Sequence, residues 1–203
     1  SLDGVYVCTD AQEIADVVQS HGGKSIITKP EHENGTERIA EAAEALEADL
    51  FVSIQGDEPL VNPSYIESVI AESIKHPEWD IIVPSLPIAR PENPHLVKIV
   101  HDVNYRIIFM SRAVIPQPFN HRPGFFLKHL SVITFKPEAL KRYATLPPSP
   151  LQRSESIELL RALEHGMVLG TILLEGDSIS VDIREDYSRA KMLMMTDEVR
   201  KLY

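Results

Sequence analysis

At 203 residues and 43% hydrophobic content, the chain can bury a full core, and its length reads as a single domain over 1–203. Its 30 acidic against 20 basic residues give a formal net charge of −10; with no Lys/Arg run to segregate positive charge, this argues against nucleic acid or an anionic membrane as a partner. No apolar segment approaches the ~20 residues that cross a bilayer, and the single cysteine, Cys8, excludes an intrachain disulfide, which fits a reducing cytoplasm.

GVYVCTD (4–10) reads as a buried strand with Cys8 as a small buried thiol, and AQEIADVVQSHGG (11–23) as a helix with Ile14, Val17 and Val18 on its apolar face. KSIIT (24–28) is a second strand; after a polar loop, a helix from about Thr36 to Glu47 spaces Ile39, Ala42, Ala43 and Leu46 helically. DLFVSIQ (49–55) is nearly all apolar, as a parallel strand covered on both faces should be. Asn62 as N-cap and Pro63 at the first helical position then open a helix with Ile66, Val69, Ile70 and Ile74 as its buried stripe. This βαβαβα run predicts an α/β fold with a mainly parallel sheet, helices on both faces, and ligands beyond the carboxyl ends of strands.

From about 80 to 135 the rhythm changes. DIIVPSLPI (80–88), LVKIV (96–100) and IIFM (107–110), punctuated by prolines, read as a β-rich insertion, and PGFFLKHLSVITF (123–135) returns a strand to the core. SESIELLRALEHG (154–166) reads as one helix closed by a glycine. A last strand near SISVD (178–182) leads into the helix EDYSRAKMLMMTDEVRKLY, and no internal repeat is present.

Asp57, in SIQGDEP, falls just past the end of a buried strand, and Asp182 occupies the same place on the last strand. Two such aspartates can approach each other across the sheet and, with phosphate oxygens, hold Mg²⁺; equally, each could be a helix cap or a loop residue. Glu155 and Glu158, three residues apart, would share a helix face. His32, His76, His95, His101, His121 and His165 form no metal-ligand spacing and receive no role.

NGTERIAEA (34–42), QGDEP (55–59), NPHLVKIV (93–100), MSRAVIP (110–116), KHLSVITF (128–135), PPSPLQRSESIELLRALEHG (147–166) and VDIREDYSRA (181–190) together resemble the cytidylyltransferases that activate 3-deoxy-D-manno-octulosonate (Kdo), in order and spacing over essentially the whole chain. The resemblance implies a three-layer nucleotide-diphosphosugar-transferase-like α/β fold. It implies the reaction CTP + Kdo → CMP-Kdo + pyrophosphate, serving lipopolysaccharide biosynthesis, and a homodimer formed through the β-rich arm. By the same resemblance Asp57 and Asp182 are the Mg²⁺-binding, catalytic aspartates, Arg38 and Gln55 lie near the nucleotide, and Arg112, His129, Glu155 and Glu158 lie in the sugar pocket.

Two departures qualify that expectation. The family opens with a strand and a PARxxSxRxPGKP-type loop that holds the triphosphate, whereas Ser1 aligns well inside the pattern. An exposed apolar face or an unpaired central strand is therefore expected. In the sugar pocket the family's H-x-G-I-Y has Ser131 and Ile133 in place of glycine and tyrosine, and Leu159 stands where a glutamine is usual. Two other readings stay open: a cytidylyltransferase for another 2-keto-3-deoxy acidic sugar, such as a sialic or legionaminic acid, or a catalytically degenerate binding or regulatory partner.

Overall fold

A computed structural model describes residues 2–199. Strand β1 (Tyr6–Thr9) leads into helix α1 (Gln12–Ser20), and β2 (Lys24–Ile27) pairs with β1 in parallel. Helix α2 (Gly35–Ala43) starts at Asn34, whose side chain accepts a hydrogen bond from the Glu37 amide. After β3 (Phe51–Ile54), α3 (Pro63–Lys75) opens as the sequence predicts: the Asn62 side chain accepts from the Ser64 amide, and Pro63 needs no amide partner at the first helical position.

The second sheet has the order β10-β4-β9-β3, with β4 at Ile81–Ile82, β9 at Val132–Phe135 and β10 at Leu169–Gly170. Strands β3, β4 and β10 run in one direction, because β9 is antiparallel to β3 and β4 while β10 is parallel to β4. Strand β9 is buried along its length, and its side chains alternate between two cores. Ile133 and Phe135 join Ala40, Leu140 and Leu160 on one face; Val132 joins Val69, Trp79 and Ile82 on the other. Such two-sided burial is what makes these strands read as continuous apolar runs. The insertion forms its own antiparallel sheet, order β5-β8-β6-β7, from β5 (Ser85–Ile88), β6 (Lys98–His101), β7 (Ile107–Ser111) and β8 (Phe126–His129). Helices α4 (Pro137–Thr145), α5 (Pro150–Glu155), α6 (Leu159–Glu164) and α7 (Arg184–Met194) complete the described chain.

Several expectations need correction. The helix expected over 154–166 is two helices: Ser156 adopts the left-handed conformation at φ 54°, ψ 47°, so Glu155 ends α5 and Glu158 precedes α6. The two glutamates therefore do not share one helix face. The stretch 178–182 forms no strand, and α7 stops at Met194; the end of the predicted C-terminal helix, 200–203, lies outside the described residues. The apolar face expected of α1 is largely open, with Ile14 and Val17 exposed and Ala15 buried instead, and Ile74 of α3 is also exposed. Cys8 is half-buried.

The exposed apolar residues and unpaired strand edges expected of the sheet lie at β1 and β3. Among the described residues β1 forms a ladder only with β2, and β3 only with β9, so each presents a free edge, and Val5, Val7 and Ile54 are exposed nearby. Among the same residues no helix is long and apolar enough to cross a membrane.

Candidate active site

The residues that leave β3 at its carboxyl end open onto a cavity of about 590 Å³, a size suited to a small-molecule ligand. Asn34 and Gly35 at the start of α2, Gln55 and Asp57 after β3, His95 in the loop before β6, Arg112 after β7, and His129 and Ser131 all line it. Ile157 and Glu158, between α5 and α6, and Ser180 and Asp182, ahead of α7, complete the wall. Asp57 and Asp182 thus face one space across 125 positions of chain.

The Asp57 carboxyl is pushed above its ordinary value by burial, with the negative charge of Asp182 adding in the same direction, while a hydrogen bond from its own backbone opposes them. Its Oδ1 is buried without a hydrogen-bond partner. A buried carboxylate oxygen of this kind normally has a partner, and one beside a second carboxylate fits a divalent cation completed by substrate oxygens.

On the opposite wall, Arg112 is held entirely by carbonyls. Its Nε donates to Glu155 O at 2.9 Å, Nη2 to Ser156 O at 3.2 Å, and Nη1 to Pro94 O and His95 O, each at 3.2 Å. Among the described residues the guanidinium forms no ion pair with a carboxylate, which leaves its charge available to the cavity it lines. Burial pushes the His129 imidazole down to about 4, and the Arg112 charge acts in the same direction; the ring is neutral at physiological pH, and its Nε2 is buried without a partner. Glu158 Oε2 accepts from the Thr36 amide at 3.1 Å, and burial raises its carboxyl above the ordinary range.

Two predicted site residues stand elsewhere. Glu155 does not line the cavity: Oε1 accepts from Ser111 Oγ at 2.7 Å and Oε2 from the Arg112 amide at 2.9 Å, so this carboxylate fixes the end of β7. Arg38 also lies outside the cavity wall, donating to Thr28 Oγ1 at 2.6 Å, to Lys29 O at 3.3 Å and to Asp10 Oδ2 at 3.3 Å, where it ties together the carboxyl ends of β1 and β2.

Sequence reasoning missed three residues that shape the site. His95, given no role, lines the cavity. Lys98, fully buried, donates from Nζ to Asn93 O at 3.1 Å, Leu96 O at 2.6 Å and Arg112 O at 2.5 Å, folding the loop before β6 against the end of β7. The charged residue inside LVKIV was its only signal. Arg161, 2% exposed, donates to Glu37 Oε1 at 2.6 Å and to Gln152 Oε1 at 2.8 Å, and stacks its cation over the Tyr143 ring. Burial acts against ionisation of Glu37, but hydrogen bonds from the Glu33 amide and Arg161 hold its carboxyl below the usual value. This pair explains why GTER and ELLR occur together: the glutamate of one is neutralised by the arginine of the other.

The cytidylyltransferase family profile matches residues 1–174. The chain is 38% identical to the 3-deoxy-manno-octulosonate cytidylyltransferase of Syntrophobacter fumaroxidans, covering 98% of this chain and 82% of that one. It is 36% identical to the enzyme of that name from Pelodictyon phaeoclathratiforme, covering 94% and 79%. The fold superimposes with a TM-score of 0.90 on a CMP:2-keto-3-deoxy-manno-octonic acid synthetase complexed with CTP, at 30% identity over 96% of this chain and 82% of that one. An inositol-1-phosphate CTP transferase from T. maritima, 18% identical with a TM-score of 0.63, shares the fold. With a cavity at the strand ends, the motif series in order and these similarities, the chain belongs to the cytidylyltransferase family, among the 3-deoxy-manno-octulosonate cytidylyltransferases.

Proposed function

We propose that the chain couples CTP to Kdo in the cytoplasm, forming CMP-Kdo and pyrophosphate for lipopolysaccharide biosynthesis. The observation that carries this reading is the single cavity that joins the Asp57–Asp182 pair to the Arg112–His129 wall. The anomeric hydroxyl oxygen of the sugar forms a bond to the α-phosphorus of CTP, and the bond from that phosphorus to the pyrophosphate oxygen breaks. Asp57 and Asp182 would hold Mg²⁺, which when bound offsets the negative charge on the reacting phosphoryl and leaving oxygens.

Where each side chain stands supports the remaining roles. Arg112 attracts the sugar carboxylate and Glu155 fixes its backbone. The unpartnered His129 Nε2 meets a sugar hydroxyl, and Glu158 accepts from another. Gln55 contributes an amide to the nucleotide, while Arg38 organises the strand ends beside it. A homodimer forms through the β-rich arm, where Val103, Ile108 and Phe119 are exposed by 93%, 63% and 89%.

Pyrophosphate release from the protein with CTP, Mg²⁺ and a panel of 2-keto-3-deoxy acids tests the reading; Asp57→Asn should lose most turnover with its fold retained. Turnover by Asp57→Asn equal to the parent would remove that residue from the chemistry. Ile133 and Leu159 border the cavity but are each only 1% exposed and belong to the hydrophobic core, so at two positions buried carbon stands where the family pattern has a hydroxyl and an amide. Apolar walls discriminate weakly, and Kdo should be preferred over less hydroxylated relatives by under about a hundredfold. A preference above about ten-thousandfold, the scale of a site built to hydrogen-bond every hydroxyl, would contradict this.

A further inference from the structure

The stretch 175–182 carries Asp182 to the cavity without belonging to any strand or helix, so something other than a ladder must fix its position. Contacts from Tyr65, Lys128, Glu58 and Asp186 and one backbone hydrogen bond do so; the Asp182 amide itself donates to Asp186 Oδ2 at 3.3 Å. Tyr65 Oη donates to Glu175 O at 2.8 Å. Gly176, at φ 112°, sits against the hydroxyl end of that side chain, where a Cβ would come within 2.4 Å of Tyr65 Oη. Lys128 Nζ, on a buried lysine, donates to Asp177 Oδ1 at 3.1 Å and to Ser178 O at 2.9 Å. Ser180 Oγ donates to Glu58 Oε1 at 2.5 Å, and the Val181 amide donates to Asp57 O at 2.8 Å.

Glu58 is the centre of this arrangement. It follows Asp57 directly, is only 5% exposed, and points away from the cavity that Asp57 lines. Its carboxylate lies within electrostatic reach of Lys128, whose ion pair is with Asp177, so Glu58 and Lys128 each hold part of 177–180 from a buried position. Adjacent residues of the QGDEP turn therefore have divided tasks: Asp57 faces the cavity, and Glu58 holds the segment that delivers the second aspartate.

We propose that Glu58 is a positioning residue, acting through Ser180 and supported by Lys128, that sets Asp182 against Asp57 so that the two carboxylates can share one divalent cation. The inference rests on the metal-binding reading of that pair, and it is independent of which acidic sugar the protein uses. Groups that orient metal ligands from behind contribute about ten- to a hundredfold in metal affinity. A hydrogen bond that acts as one unit should also be lost once, whichever partner is removed.

The test is a double-mutant cycle on the whole chain with Glu58→Ala, Ser180→Ala and the pair together, read by Mn²⁺ titration in the presence of CTP, using electron paramagnetic resonance. Each single variant should weaken Mn²⁺ binding about tenfold, and the double variant should be no weaker than the singles. Amide hydrogen exchange of 178–182 in the nucleotide-free protein should quicken in all three, while that of β9 stays at the parental rate. Ser180→Ala removes one hydroxyl and keeps the reading available should Glu58→Ala fold poorly. Parental Mn²⁺ affinity in Ser180→Ala, or additive losses in the double variant, would overturn the proposal, because a lowered melting temperature alone is what a merely structural bond predicts. A failed sugar panel with the Mn²⁺ pattern intact would instead count against Kdo as the substrate and for the clamp.

Discussion

At the scale of single residues, His129 joins the site's chemistry to its stability. Its imidazole titrates at about 4 in the folded protein against an ordinary 6.5, first because it is buried and then because Arg112 is near. A depressed pKa stabilises the fold fully above 6.5, and that contribution drains away as the pH falls and is gone near 4. Its size is on the order of 3 kcal/mol. His129→Gln should therefore flatten the fall in melting temperature between pH 7 and 4.5 by about 5 °C, measured by thermal melts of both proteins; parallel pH profiles would refute the assignment. That Asp57, Arg112 and His129 line one cavity was legible from the family motifs that carry them. The task of Glu155 was not, since its partner Ser111 lies 44 positions away and only the fold brings them together.

Among elements, the join between α5 and α6 separates what periodicity could give from what it could not. SESIELLRALEHG has helical spacing throughout, yet Ser156 turns left-handed, and the break lets the carbonyls of Glu155 and Ser156 reach Arg112. A left-handed serine costs about 1–2 kcal/mol, a local penalty that the tertiary contacts of Arg112 offset. Arg161 anchors α6 on the other side of the same join, binding Glu37 of α2 from a fully enclosed position. Removing one member of a buried pair is more damaging than exchanging both. Arg161→Leu should cost about 3 kcal/mol in urea unfolding, and a loss under about 1 kcal/mol would show that solvent readily replaces the arginine. Strands β4 and β9 were legible as buried runs, but the exposure of Val5 and Val7 at β1 was not, nor was the reversal of β9, because direction depends on how the arm returns the chain to the sheet.

For the molecule as a whole, the proposed homodimer rests on the exposed Val103, Ile108 and Phe119 of the β-rich arm as its contact surface. Ile108→Glu places a charge in the middle of that surface and should convert a dimer to a monomer in light scattering, with the far-ultraviolet circular dichroism unchanged. A dimer that persists in that variant would move the interface elsewhere. The division of the sheet was legible from the family pattern, while the buried cross-links around the cavity were not, because their members are distant in sequence. The cavity is stitched by hydrogen bonds between Thr36 and Glu158, Glu37 and Arg161, and Glu58 and Ser180, separated by 122, 124 and 122 positions. Closing loops of that length is entropically unfavourable until the intervening core has formed. The sole tryptophan, Trp79, is buried in that core beside α3. Its fluorescence should thus recover ahead of any capacity to retain CTP as the chain refolds, which makes the catalytic pocket the last part of the protein to come into being.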